Sequence, residues 1–206
     1  MTGPRARRAR PGGSSATDRL STRRPVPHQV RIVGGQWKRT PLAVADKPGL
    51  RPTPQRLRET LFNWLGRNLA GWRVLDAFAG SGALGFEAAS RGAAEVVMLE
   101  RDAGLVHQLQ AVQQRLRAAT VQVHRADALV WMSRCAPQRF DLVLLDPPFE
   151  ADLTDRAVSL AVPLVGQAGW IYVESPSERT AAPAGFERAR HAQAGAVHAQ
   201  LLRRTP

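Results

Sequence analysis

The sequence has one cysteine, Cys135, a single tyrosine, and no apolar run near the roughly 20 residues that a membrane helix needs. A lone thiol excludes an internal disulfide framework and any multi-cysteine zinc site. The missing apolar run excludes a spanning helix, so no membrane partner is expected. Acidic residues are scarce in one place only. Residues 1–70 hold 3 Asp+Glu against 15 Lys+Arg, whereas residues 71–206 hold 14 of each. The whole net charge of +12 therefore lies in the first third. At 206 residues and 44% hydrophobic, the chain can bury one real core and is too apolar to be disordered throughout. Arginine supplies 27 of the 29 basic residues, which suits planar recognition of phosphates and bases. A GC-rich coding bias accounts for part of that preference, but not for the segregation.

Residues 1–27 are Arg, Pro, Gly, Ser and Ala with few apolar side chains, and they read as a disordered basic tail. An organellar transit peptide is the minor reading, because Pro4, Pro11, Pro25 and Pro27 break any amphipathic helix. Residues 28–70 read as a hairpin and a helix. Arg31-Ile32-Val33 is a short strand, Gly34-Gly35 a turn, and Pro41 to Val44 a return strand. Pro54 opens a helix expected to run to about Leu69, with Leu57, Leu61, Trp64 and Leu65 on one face. From residue 71 to 206, apolar strands at 73–78, 95–99, 120–124, 140–145 and 169–173 alternate with helices at about 83–91, 102–117, 127–134 and 152–162. That alternation predicts an α/β fold with a parallel sheet covered on both faces. Residues 184–204 lack a helical period and could supply two closing strands.

Two motifs carry chemistry. In the first, the strand Val74-Leu75-Asp76-Ala77-Phe78 runs into Ala79-Gly80-Ser81-Gly82-Ala83-Leu84-Gly85. Glycines there permit close backbone approach, and the following helix offers free N–H groups to an anionic group. Glu100 ends the next strand, a usual place for an acid that grips ribose hydroxyls. Gly80-x-Gly82-x-x-Gly85 also matches the dinucleotide fingerprint, which by itself does not choose between NAD and another adenosine cofactor. The second motif is Asp146-Pro147-Pro148-Phe149 at the carboxyl end of an apolar strand. Its prolines make a rigid turn with carbonyls free to accept, Asp146 adds a carboxylate, and Phe149 a flat stacking face. Acceptors beside an aromatic wall suit an exocyclic amino group on a planar base.

The two motifs together resemble those of the S-adenosylmethionine-dependent amino-methyltransferases. Arg31-Ile32-Val33-Gly34-Gly35-Gln36-Trp37, Pro48-Gly49-Leu50-Arg51-Pro52-Thr53 and Arg58-Glu59-Thr60-Leu61-Phe62-Asn63-Trp64-Leu65 narrow the match. Over about residues 29–204 the chain is similar to bacterial 16S rRNA guanine-N2 methyltransferases of the RsmD type, whose target guanine carries 966 in the family name. The resemblance implies a Rossmann-like class I methyltransferase domain over 71–206, with a seven-stranded, mostly parallel sheet and an antiparallel last strand. It implies S-adenosyl-L-methionine as cofactor. Asp76, Ala77, Phe78, Gly80, Ser81, Gly82 and Leu84 would hold its methionine part, Glu100 and Arg101 its ribose, and Asp127 and Ala128 its adenine. Thr53, in the segment Arg51–Phe62, would lie beside the methionine carboxylate. Asp146, Pro147, Pro148 and Phe149 would be the catalytic set. The partner it implies is 16S rRNA or a small-subunit assembly intermediate, in the cytoplasm, met by a monomer.

Arg31, Lys38, Arg39, Arg51, Arg56 and Arg58 are the expected RNA phosphate contacts. For Arg56 and Arg58 the plainer alternative is a solvated helix face, or pairing with Glu59 and Asp46. His28, His107, His124, His191 and His198 show no ligand spacing, so they read as isolated residues and no metal is expected. Trp64, Trp72, Trp131 and Trp170 read as packing, with Trp37 the one tryptophan placed to touch RNA. A DNA adenine-N6 methyltransferase is the nearest rival, but the chain lacks the extra residues for a DNA target-recognition domain. A nicotinamide dehydrogenase would leave Asp146–Phe149 and the basic hairpin unexplained. A non-catalytic RNA-binding relative would not need both Gly82 and Asp146.

Overall fold

β1 (Gln29–Arg31) pairs antiparallel with β2 (Pro41–Ala43), Val30 facing Leu42 in the register. The computed structural model describes residues 29–45, 54–148 and 152–206, together with Met1 and Gly3. The basic tail and the site residues Arg51, Thr53 and Phe149 lie outside the described residues. The hairpin is set slightly differently from expectation. Its first strand ends at Arg31, and Gly34-Gly35 opens the connection rather than forming the reversal. Gly35 adopts φ +72°, and a Cβ there would stand 1.8 Å from the carbonyl oxygen of Ser90. Glycine is thus required because the hairpin lies directly on the carboxyl end of the helix that finishes at Ser90.

α1 (Gln55–Trp64) follows and stops five residues short of Leu69. Gly66 and Arg67 both have positive φ, which a continuing right-handed helix does not allow. The α/β alternation then runs β3 (Arg73–Asp76), α2 (Ala83–Ser90), β4 (Glu95–Glu100), α3 (Ala103–Leu116), β5 (Val121–Arg125), α4 (Ala128–Arg134), β6 (Phe140–Leu145) and α5 (Leu153–Ala161). β7 (Val165–Ser175), β8 (Phe186–Ala194) and β9 (Val197–Arg204) complete it. β3 ends at Asp76 rather than Phe78, since its chain bends into the glycine turn. β7 begins at Val165, earlier than expected, through an irregular register against β6 between Phe140 and Leu142.

The sheet order is β5-β4-β3-β6-β7-β9-β8. β9 is antiparallel to both neighbours, and the other pairings are parallel. This is the Rossmann-like class I methyltransferase sheet. Because β3 is flanked by β4 on one side and β6 on the other, successive crossovers leave its carboxyl end in opposite directions, and a crevice opens there. Alternating side chains fill two cores. Val74, Val96, Met98, Leu142, Leu144 and Tyr172 pack against α1, α2 and α3. Leu75, Val97, Leu99, Val143, Leu145 and Ile171 pack against α4 and α5. Residues of the N-terminal extension, including Ile32, Leu42, Leu61 and Phe62, belong to the first core and have none of their own. Trp37, Trp64, Trp72 and Trp170 are partly buried against it.

Polar groups fix that packing in one geometry. Glu87, fully buried on α2, accepts from the Val33 N–H at 2.7 Å and from Arg91 Nε at 2.8 Å. Its Oε2 stands 3.9 Å from Nη1 of Arg58, which donates to the Arg31 carbonyl at 2.8 Å. Ser90 Oγ accepts from the Trp37 N–H at 2.9 Å and donates to the Gly34 carbonyl at 2.6 Å. Arg58 is therefore corrected: it is fully buried and is no RNA contact. Burial lowers its pKa, while Glu87, Glu59 and Glu174 work to keep it charged. Glu87→Ala would leave the Arg91 guanidinium and the Val33 N–H without their acceptor and buried Arg58 without its nearest counter-ion. The expected cost is about 3–5 kcal/mol, measured by urea unfolding, with faster protease cleavage in residues 29–45.

Candidate active site

The crevice at the β3/β6 switch is a cavity of about 420 Å³, within the range of small-molecule sites. Three acids reach its wall from three strand ends: Asp76 from β3, Glu100 from β4 and Asp146 from β6. Each position follows from local chain chemistry. Asp76 is 1% exposed, and its Oδ2 accepts from the Gly85 N–H at 2.9 Å, inside the first turn of α2. Gly82, the residue before that helix, has φ +78°, and a Cβ there would stand 2.6 Å from Leu109. It shapes the turn without lining the cavity. Glu100 spends both oxygens on backbone: Oε2 accepts from Gly80 N–H at 3.0 Å and Oε1 from Asp102 N–H at 2.8 Å. Asp127 caps α4, its Oδ1 accepting from the Val130 N–H at 2.9 Å, and it lines the cavity as well. An N-cap role and a wall role coincide in that one residue.

The expected cofactor residues Ala77, Phe78, Gly80, Ser81, Leu84, Arg101 and Ala128 also line this cavity. Of the expected catalytic set, Asp146 and Pro148 are on the wall, and Pro147 is buried just behind it. Sequence reasoning missed Leu129, Val130, Leu153 and Arg156, which close the wall from α4 and α5. A helix's first turn after a strand-end loop is the only hint the sequence held for them. The basic positions Arg31, Lys38, Arg39 and Arg56 are exposed, and Arg31 also donates to the Arg39 carbonyl at 3.2 Å. His191 and His198, read as isolated, meet across the β8–β9 hairpin.

Asp76 carries the electrostatic signature of the site. Its carboxyl is pushed up to about 7, first by burial and then by the nearby Asp146 and Glu100. The N–H groups of Gly85 and Phe78 offset part of that rise. A buried acid crowded by two others fits a cationic ligand, which would relieve the repulsion.

Comparison with known proteins agrees with this geometry. The model of the family described as Conserved hypothetical protein 95 matches residues 30–203. The Escherichia coli K12 protein named ribosomal RNA small subunit methyltransferase D is 39% identical over 184 residues, covering 85% of this chain and 90% of that one. The chain belongs to the RsmD family of rRNA methyltransferases. Its Haemophilus influenzae relative of the same name is 40% identical over 160 residues, covering 73% of this chain and 81% of that one. A solved E. coli structure titled a putative methyltransferase superposes with a TM-score of 0.77 at 39% identity, covering 86% of this chain and 98% of that chain. The protein is accordingly a methyltransferase.

The Asp76 pKa has a consequence for stability. In the unfolded chain this carboxyl titrates near 3.8, and in the folded protein near 7. The folded state thus holds the extra proton between those values. The residue's contribution is most favourable below about pH 4 and falls as pH rises through about 7. Asp76→Asn removes this titration. The ligand-free variant is expected to melt above wild type at pH 8, with the gap closing toward pH 4, as read by scanning fluorimetry.

Proposed function

We propose that this RsmD-family protein transfers the methyl group of S-adenosylmethionine to the exocyclic N2 of a guanine in 16S rRNA. The observation that carries the reading is one cavity whose wall holds Asp146 and Pro148 together with Asp76, Glu100 and Asp127. An amine-accepting turn and a cluster of acids suited to a cationic cofactor share a single space. When bound, S-adenosylmethionine supplies an electrophilic methyl on a sulfonium.

The protein's own groups divide the remaining work. Asp76 and the turn Gly80–Leu84 hold the methionine part. The Asp76 carboxylate would take its ammonium, and Thr53 belongs to the segment assigned to its carboxylate. Glu100, pinned by two backbone N–H groups, offers its remaining lone pairs to the ribose hydroxyls. Asp127 and Ala128 meet the adenine, and Arg101 stands at the ribose side. The guanine amine is a weak nucleophile because its lone pair is conjugated into the ring. Asp146 and the Pro147 carbonyl accept its two hydrogens and draw the nitrogen toward a pyramidal form, while Phe149 stacks on the flipped base. Asp146 or a water takes the proton late. Fixed acceptors and orientation supply most of the acceleration.

RNA approaches from the basic end. Arg31, Lys38, Arg39 and Arg56 are exposed and take backbone phosphates, with Arg51 and the tail 1–27 adding attraction. Residues 28–70 act as the RNA grip and 71–206 as the catalytic domain, in a monomer working on rRNA or a subunit intermediate in the cytoplasm. The test is to incubate the protein with methyl-labelled S-adenosylmethionine and small subunits, naked 16S rRNA or DNA. Label on guanine N2 of the RNA is expected, and label on DNA alone overturns the reading.

Two variants sharpen the assignment. Asp146→Ala is expected to cut methyl transfer by at least about a hundredfold, while calorimetry still shows cofactor binding. Replacing Arg31, Lys38, Arg39 and Arg56 by alanine is expected to weaken RNA binding and to flatten log K against log salt by about 3. A filter-binding series over salt concentration reads both effects.

A further inference from the structure

We infer that the β8–β9 hairpin carries a site for a divalent transition-metal ion of the zinc class, ligated by His191 and His198 with the Glu178 carboxylate beside them. In the hairpin register His191 opposes Gln200, and Gln193 opposes His198, so the two histidines are diagonal neighbours on one strand face. His191 Nε2 lies 3.2 Å from His198 Nδ1, with the ring planes 6° apart. Two imidazoles on one tetrahedral ion, at bond lengths of about 2.0–2.1 Å, hold their nitrogens about 3.3–3.4 Å apart. The spacing of the two donor nitrogens already matches. An ion enters by rotation of two side chains at the molecular surface, with no backbone movement.

Glu178 stands on the other side of His191, its Oε1 3.9 Å from Nδ1. At that distance the carboxylate is a nearby negative charge that favours a cation on the imidazole pair. Glu178 is itself held by Arg188 Nη1 at 2.6 Å. That ion pair removes much of the carboxylate's pull on a cation, so affinity must come from the imidazoles. Neutral nitrogen donors select zinc, cobalt, nickel or copper over magnesium and calcium.

A second observation lies beside the pair. Gln200 is fully buried on the same strand face, and its Oε1 has no hydrogen-bond partner. Its amide donates instead to the Arg179 carbonyl at 2.8 Å. A water on the ion carries hydrogens that need acceptors, and the unused oxygen of Gln200 is one. The ion would tie β8 and β9 to the segment after β7, where Arg179 pairs with Asp155 of α5, a helix whose first turn lines the cavity.

The untagged full chain, stripped with chelator, is titrated with Zn²⁺, Co²⁺ and Mg²⁺ in a calorimeter. One saturable Zn²⁺ or Co²⁺ site is expected, with visible cobalt absorption, no Mg²⁺ heat, and a higher melting temperature with zinc. His191→Gln and His198→Gln should each weaken binding at least about tenfold, and Glu178→Gln by less than either, with the metal-free melting temperature unchanged. Absence of a saturable site in the wild type overturns the inference. Zinc binding that survives both histidine substitutions does so equally.

Discussion

All eight residues of α2 are buried, and both ends of that helix bind something other than itself. At its start, the Gly85 N–H grips Asp76, so the first turn holds the acid that anchors the cavity. At its end, Glu87, Ser90 and Arg91 collect the N-terminal hairpin and α1 through backbone and guanidinium contacts. A helix this short gains little from its own hydrogen bonds. It is stable because the sheet lies on one side and the extension on the other. The converse holds too, since the extension closes a core it cannot close alone. The exposed basic positions of the extension and the cavity are therefore joined through a single turn-and-a-half of helix, and neither is an appendage of the other.

Much of this was legible in the residues, for reasons that also explain what was not. Parallel strands buried on both faces must be continuously apolar, so the runs at Val74, Val96 and Leu142 announced themselves. The glycine turn and the Asp-Pro-Pro turn stood out because backbone geometry restricts which residues can form them. Arg58 departs from expectation because a charged side chain is here fully buried. Its position, one after Leu57 and three and four before Leu61 and Phe62, places it on the buried face of α1. Periodicity outweighs residue type once Glu87 is available as a partner. The His191–His198 contact had no linear signal. It depends on hairpin register around Gly195, and register is a property of two strands rather than of spacing along one.

The cavity and the surface pull in opposite electrostatic directions. The chain carries +12, yet the cavity gathers Asp76, Glu100, Asp127 and Asp146. At physiological salt, charges separated by more than about 8 Å are largely screened from one another. Exposed arginines act on a polyanion over distance and in competition with salt. The acids act at contact range, in a partly desolvated space where Asp76 is pushed up to about 7. The two fields need not cancel, because they address ligands of opposite sign at different depths.

That separation has a structural requirement. If the cations reached the cavity floor they would neutralise Asp76 and remove its preference for a cationic ligand. If the acids reached the outer surface they would repel the polyanion. Arg101 and Arg156 stand on the cavity wall, but four other cations are held in ion pairs behind the site. Arg58 and Arg91 are held to Glu87 at the far end of α2, and Arg73 and Arg139 pair with Asp141 and Glu95 at the opposite edge of the strands. The acids that line the cavity all stand at strand carboxyl ends or the turn after them. Charge segregation along the sequence and charge segregation through the depth of the molecule are thus separate arrangements. The first sets what the protein attracts, and the second sets what its cavity holds.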